Sequence, residues 1–260
     1  MNKTKIIATI GPSSYKPEVL EELVNSGIDV IRLNMSYSDY SFCRQIIERI
    51  DEINEKLNTS VSIMLDLEGP CIRTGDFSAG GADFTTGDRI RMYMKPIQGN
   101  NVQFSVNYPR LIEDLKYHSI IKLNNGKVIL EVAEKGMDYA VLEVIHGGHV
   151  DSQSKVYLPS VKLNRKFLTK QDKEDILFAH KMDVDFISIS NVSGAEDVLE
   201  VNDLLIELGN DHIGLLAKIQ NNRAVQELDT IIDVADGLIL SRSDLAIEMP
   251  IEEVPNVKNE

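Results

Sequence analysis

Short apolar runs alternate with amphipathic helical stretches at both ends of this chain, and the alternation stops in the middle. Residues 5–10, 29–34 and 61–67 have strand length and apolar content. Between them, residues 17–26 begin with Pro17 near the first turn and end before Gly27, the asymmetry expected of a helix. Residues 38–57 carry Phe42, Ile46, Ile50, Ile53 and Leu57 at spacings of three and four, one stripe of a helix. A β-α-β-α-β order argues for a parallel sheet or barrel.

From about residue 74 to 159 the helical period disappears. Runs at 89–94, 102–106, 120–123, 128–132 and 140–145 read as short strands, with Asn125-Gly126 as a hairpin signal. The α/β pattern resumes with a helix over 169–181, where Thr169 and Asp172 form a capping arrangement. A strand over 185–190, a helix over 195–208, a strand over 212–219, a helix over 223–234 and a strand over 237–241 follow. The expected fold is an α/β, parallel (β/α) TIM-type barrel with an inserted all-β lid domain. The divisions are 1–73 and 161–260 for the barrel and 74–160 for the insertion. Six barrel strands are expected, so the barrel is incomplete.

Composition narrows function by exclusion. A formal net charge of −14 would repel phosphate backbones, so no nucleic acid is expected as a partner. No apolar run reaches membrane-spanning length, and the N-terminal apolar stretch is too short for a signal peptide, so a cytoplasmic protein away from membranes is expected. Two cysteines, Cys43 and Cys71, make neither a disulfide framework nor a zinc set.

In a parallel β/α barrel the carboxyl ends of the strands face the active site. Those ends here carry Arg32, Asn34 and Ser36, then Asp66, Leu67 and Arg73, then Lys218 and Gln220, then Ser243 and Asp244. Two guanidinium forks, a lysine and two aspartates suit an anion together with metal cations. Plain alternatives exist: Arg73 could pair with Glu68, and Asp66 could cap the next turn. Lys218 is the strongest single case, because it follows Gly214-Leu215-Leu216-Ala217 in a strand read as buried, where an amine needs a partner or a role.

These segments resemble the pyruvate kinase family. Thr4 to Ser14 is similar to that family's first barrel strand, and Arg32-Leu33-Asn34-Met35-Ser36 to its R-L-N-F-S. Residues 66–75 resemble D-T-K-G-P-E-I-R-T-G, residues 168–172 L-T-E-K-D, residues 217–221 A-K-I-E-N, and residues 236–248 D-G-I-M-V-A-R-G-D-L-G-V-E. The resemblance implies phosphoryl transfer from phosphoenolpyruvate to ADP, giving pyruvate and ATP, within glycolysis. It implies Arg32 and Arg73 as phosphate-holding residues and Lys218 as the cation for the transferring phosphoryl group and the developing enolate. Asp244 and Gln220 would be ligands of Mg2+ or Mn2+. Asn34, Ser36, Asp66 and the Leu67 carbonyl would hold K+, and Ser243 with Asp244 and Arg32 would contact substrate.

The departures are as informative. Gln220 stands where the family has glutamate, Ser243 and Ala246 where it has glycine, and Glu68 where it has lysine. Cys71 replaces a glutamate, Tyr37 a histidine and Ser193 an arginine, and Asn124-Asn125-Gly126 falls where acids are usual. The family pattern runs on for two further barrel strands, one carrying a substrate-binding threonine, and a regulatory domain. Six strands leave two edges, for a second copy or another protein to close unless the chain is a truncated one. Two readings follow from this: a pyruvate-kinase-type phosphotransferase weakened by its changes, or a non-catalytic relative that keeps the anion pocket for regulation or assembly. A metal-assisted lyase acting on a 2-oxo acid is a third reading that no residue favours.

Overall fold

The computed structural model describes residues 4–159, 161–210 and 212–258. They form two compact units: the described residues within 4–70, 167–219 and 227–239 make one, and those within 71–166, 220–226 and 240–258 the other.

The first stretch runs β1 (Ile7–Thr9), α1 (Pro17–Asn25), β2 (Val30–Asn34), α2 (Tyr40–Leu57) and β3 (Ser62–Asp66). Helix α2 starts two residues later than the expected 38, because the Asp39 carboxylate accepts the Phe42 N–H and caps it. It ends at Asn58, whose φ of 52° is left-handed. Cys43, Ile46, Ile47, Ile50 and Ile53 are its buried face.

The inserted stretch contains β4 (Gly81–Phe84), β5 (Arg89–Tyr93), β6 (Gln103–Ser105), one turn of helix α3 (Leu111–Asp114), β7 (Ile120–Leu123), β8 (Val128–Lys135), β9 (Tyr139–His146) and β10 (Gly148–Asp151). Five of its strands make a mixed sheet in the order β6-β5-β9-β8-β7, and β10 pairs with β4. That last pair escapes the alternation rule, since each of its strands is short and opens on a glycine. Asn124, Asn125 and Gly126 all take positive φ at the β7–β8 turn, as the Asn-Gly signal requires. The core of this unit includes Ile90, Met92, Phe104, Leu130, Val132 and Leu142.

The chain continues with α4 (Lys170–Lys181), β11 (Phe186–Ile189), α5 (Ala195–Glu207), β12 (Gly214–Ile219), α6 (Asn222–Gln226), α7 (Leu228–Ile232), β13 (Gly237–Leu240) and α8 (Arg242–Glu248). Thr169 and Asp172 close the expected capping box on α4. The single helix expected over 223–234 is instead two short ones. Glu227 leaves helical geometry at φ −103° and ψ 17°, with neither Gly nor Pro to mark the place. Helix α8 was not anticipated.

The six strands form one curled sheet in the order β1-β2-β3-β11-β12-β13, the wall of a half-barrel, with helical segments between successive strands. Neighbouring strands from β1 to β12 pair in parallel. Their inner core residues include Ile31, Leu33, Met64, Leu65, Ile187 and Leu215. Among the described residues, no helix is long and apolar enough to cross a membrane.

Candidate functional site

The register of β2 against β3 sets Asn34 beside Asp66, and that of β11 against β3 sets Ser188 beside Asp66. These strand ends, with β12, build the first group of site residues. Strand β12 buries Leu215, Ala217 and Ile219 on one face and turns Lys218 to the other. The Lys218 ammonium donates to Asp66 Oδ1 and Oδ2 at 3.1 and 3.3 Å and to Ser190 Oγ at 2.9 Å. Arg32 donates through Nε and Nη2 to Asp66 Oδ2 and through Nη1 to Thr9 Oγ1 at 2.9 Å. The Lys218 side chain is only 13% exposed and that of Asp66 3%, whereas that of Arg32 keeps 27%. One buried carboxylate therefore orients two cations, and two positive charges against one negative leave a local excess that suits an anion.

Gly69 shapes the turn that follows. Its φ is +67°, and a Cβ there would stand 2.3 Å from the Ser190 carbonyl oxygen, so only glycine brings the loop this close to the end of β11. Its N–H donates to Asp172 Oδ1, which ties the loop to the cap of α4.

The oxygen-bearing groups expected to hold a monovalent cation sit nearby in sequence. Asn34 Oδ1 accepts the Ser36 N–H at 3.0 Å, Ser36 is half-buried, and Leu67 is buried with its N–H on the Ser188 carbonyl. Amide, hydroxyl and carbonyl oxygens are donor chemistry that K+ takes, so Asn34, Ser36 and Leu67 fit that ion by type, while both oxygens of Asp66 already accept from Lys218 and Arg32.

The second group lies in the other unit. Asp244, in the first turn of α8, accepts four hydrogen bonds. Lys155 Nζ and Tyr157 Oη each reach Oδ1 at 3.2 Å, and Gln220 Nε2 reaches Oδ2 at 3.0 Å. Ser241 Oγ donates to Oδ2 at 2.5 Å. Burial alone would raise this carboxyl's pKa. The Lys155 charge and the hydrogen bonds from Ser241, Gln220 and Lys155 outweigh it, and they hold the group below its ordinary value. A divalent ion does not fit this arrangement: both oxygens are committed, one donor is an ammonium, and Gln220 presents its NH2 rather than its oxygen to Asp244.

Glu248, one turn further along α8, is pushed by burial up to about 7, against the opposing charges of Lys155 and Lys122 and a hydrogen bond from the Leu158 backbone. Arg73 donates through Nη1 to the Gln153 carbonyl and pairs across an antiparallel bridge with Lys155. Ser243 is exposed on α8.

The sequence-expected residues thus gather as Arg32, Asp66 and Lys218 in one unit and Gln220 with Asp244 in the other. Sequence reasoning missed Ser190, although it directly follows β11 and the strand-end rule reaches it. It also missed Lys155 and Tyr157, and it gave Ser241, at the end of the sixth strand, no role. Nothing in the local pattern of residues 152–158 marks Lys155, whose partner is 89 positions away.

A parallel β/α barrel wall with a lysine-carboxylate-arginine cluster at its strand ends defines a protein of the β/α barrel class. A family model described as the pyruvate kinase barrel domain matches residues 1–260. The chain is 38% identical to the pyruvate kinases of Sporosarcina psychrophila and Geobacillus stearothermophilus, over 99% and 98% of its length and 44% of theirs. It is 36% identical to that of Clostridium perfringens over 99% of its length and 55% of that protein. The chain belongs to the pyruvate kinase family, and it spans about half the length of these relatives.

Proposed function

We propose that this chain binds phosphoenolpyruvate and transfers its phosphoryl group to ADP, giving pyruvate and ATP. The observation that carries this reading is the Lys218 ammonium, fixed by Asp66 and Ser190 on a barrel strand. In such a transfer the phosphorus–oxygen bond to the enol breaks and one to an ADP β-phosphate oxygen forms. The enolate left behind then takes a proton to become pyruvate. Charge develops on the equatorial oxygens and on the enolate, so a pre-positioned cation stabilises the transition state more than the ground state. Lys218 has that role here, and Arg32 and Arg73 hold phosphate oxygens. Ser243 and Asp244 are substrate contacts by the resemblance alone. K+ belongs to this reading through Asn34, Ser36, Asp66 and Leu67.

Residues 1–73 and 161–260 are read as barrel around a lid of 74–160, in a cytoplasmic, glycolytic setting. The outer strands of the sheet are β1 and β13, and such edges are where further chain, a second copy or another protein would add.

A second reading is favoured by one observation. Asp244, which the resemblance assigns to Mg2+ or Mn2+, is closed by Lys155, and with it the case for turnover weakens while phosphoenolpyruvate binding stands. The protein would then act by binding, in regulation or assembly. Pyruvate formation from phosphoenolpyruvate and ADP, with K+ and with Mg2+ or Mn2+, decides between the two when wild type is compared with Lys218→Met. Lysine-dependent turnover supports the first. Calorimetric binding of phosphoenolpyruvate that is lost in Lys218→Met, without turnover, supports the second. A protein that neither turns over nor binds phosphoenolpyruvate sinks both.

A further inference from the structure

We infer that Lys155 is the resident cation of the Asp244 centre, in place of a divalent metal ion, and that anion binding by this chain is metal-independent. The inference rests on the anion-binding reading above, and three observations support it.

The first is charge. With Gln220 neutral, Asp244 negative and Lys155 positive, these three side chains sum to zero with no metal present. A dication added to this set leaves it strongly positive and stands beside an ammonium, which Coulomb repulsion opposes.

The second is that the ammonium is built in. Lys155 is only 26% exposed, its Nζ lies 4.7 Å from the centre of the Tyr157 ring, and its backbone is bridged to Arg73. A cation over an aromatic face with a carboxylate beside it has two electrostatic reasons to stay. Residues opposed across an antiparallel bridge project from the same face, so Arg73 and Lys155 are neighbours there. Two cations side by side repel, and an anion such as a phosphate relieves that repulsion.

The third is the direction of Gln220. Because Asp244 Oδ2 accepts from it, the Gln220 side chain faces the carboxylate with its NH2 group. A carboxylate oxygen cannot donate, so the network sets this orientation. The amide oxygen then points away from Asp244 and does not share an ion with it.

The test is a titration of free Mn2+, followed by its paramagnetic resonance signal, with the full chain and with its Asp244→Asn and Lys155→Ala/Gln220→Glu variants. Wild type and Asp244→Asn are expected to give the same weak uptake. The double variant should bind Mn2+ about ten-fold more tightly or better. Wild type binding Mn2+ about ten-fold more tightly than Asp244→Asn overturns the inference. If the double variant fails to fold, as judged by circular dichroism, the wild-type comparison decides alone.

Calorimetry with phosphoenolpyruvate separates this inference from the reading beneath it. Affinities within about two-fold in EDTA and in Mg2+ support Lys155 as the cation, whereas a gain of about ten-fold with Mg2+ counts against it. No binding in either condition removes the anion reading, and the Mn2+ titration still judges Lys155.

Discussion

Lys218 Nζ contacts both oxygens of Asp66, at 3.1 and 3.3 Å, while Arg32 takes a share of the same carboxylate. A single buried acid thereby anchors the two cations that the barrel mouth contributes in this unit. Asp66→Asn keeps the shape and removes the charge, leaving two positive groups around a neutral amide. Losing one partner of a buried ion pair costs about 3 kcal/mol or somewhat more, reduced here by the partial exposure of Arg32. The expected result is a clear fall in the urea midpoint with an unchanged slope. A loss of under about 1 kcal/mol would show that water already screens the cluster.

Gly69→Ala tests the loop geometry that supports this cluster. The added methyl would face the Ser190 carbonyl at 2.3 Å from a backbone with φ of +67°. Neither the carbonyl nor the backbone can yield cheaply, so a loss of about 2 kcal/mol or more is expected. Ser190 also holds Lys218, so phosphoenolpyruvate affinity should fall together with stability. Unchanged affinity in a folded Gly69→Ala protein would separate the loop from the site.

The capping box of α4 gives a graded pair. Thr169→Ala removes one cap and should cost about 1 kcal/mol. Asp172 does more, since it accepts from the Thr169 backbone and hydroxyl and from the buried Gly69 N–H. Asp172→Ala leaves that N–H without its acceptor and should cost about 2–3 kcal/mol. Equal costs in urea denaturation would mean that the Gly69 contact contributes nothing.

How much of this was legible in the sequence depended on whether the cause was local. The pairing of β2 with β3 and the run of β12 follow from apolar strands bounded by polar ends, and Lys218 stood out as an amine closing an apolar run. Asp66 and Arg32 followed from the rule about strand ends. The break at Glu227 has no local mark, because Ala224, Leu228 and Ile231 keep helical spacing across it. Strands β4 and β10 are short, and one stabilises the other across 60 or so residues, a long-range pairing with no period to read. Lys155 was invisible for the same reason: its meaning lies in Asp244, Tyr157 and Gln220, which only tertiary structure assembles.

Glu248 should make stability fall as pH rises. Burial and the neighbouring Asp244 charge raise its folded pKa to about 7 from an ordinary 4.5, although Lys155, Lys122 and the Leu158 N–H pull the other way. Between those two values the folded chain holds a proton that the unfolded chain has released. Folding is therefore favoured by this group at the acid end and loses that advantage as pH rises through the window. The expected difference between pH 5 and pH 8 is about 2–3 kcal/mol. Because a chain with net charge −14 has many other titrating groups, the measurement is a comparison with Glu248→Gln, by urea denaturation at several pH values. The variant should gain on wild type steadily from pH 5 to pH 8. Parallel pH curves for the two proteins would mean that Glu248 ionises at its ordinary value, and that the Lys155 and Lys122 charges compensate its burial in full.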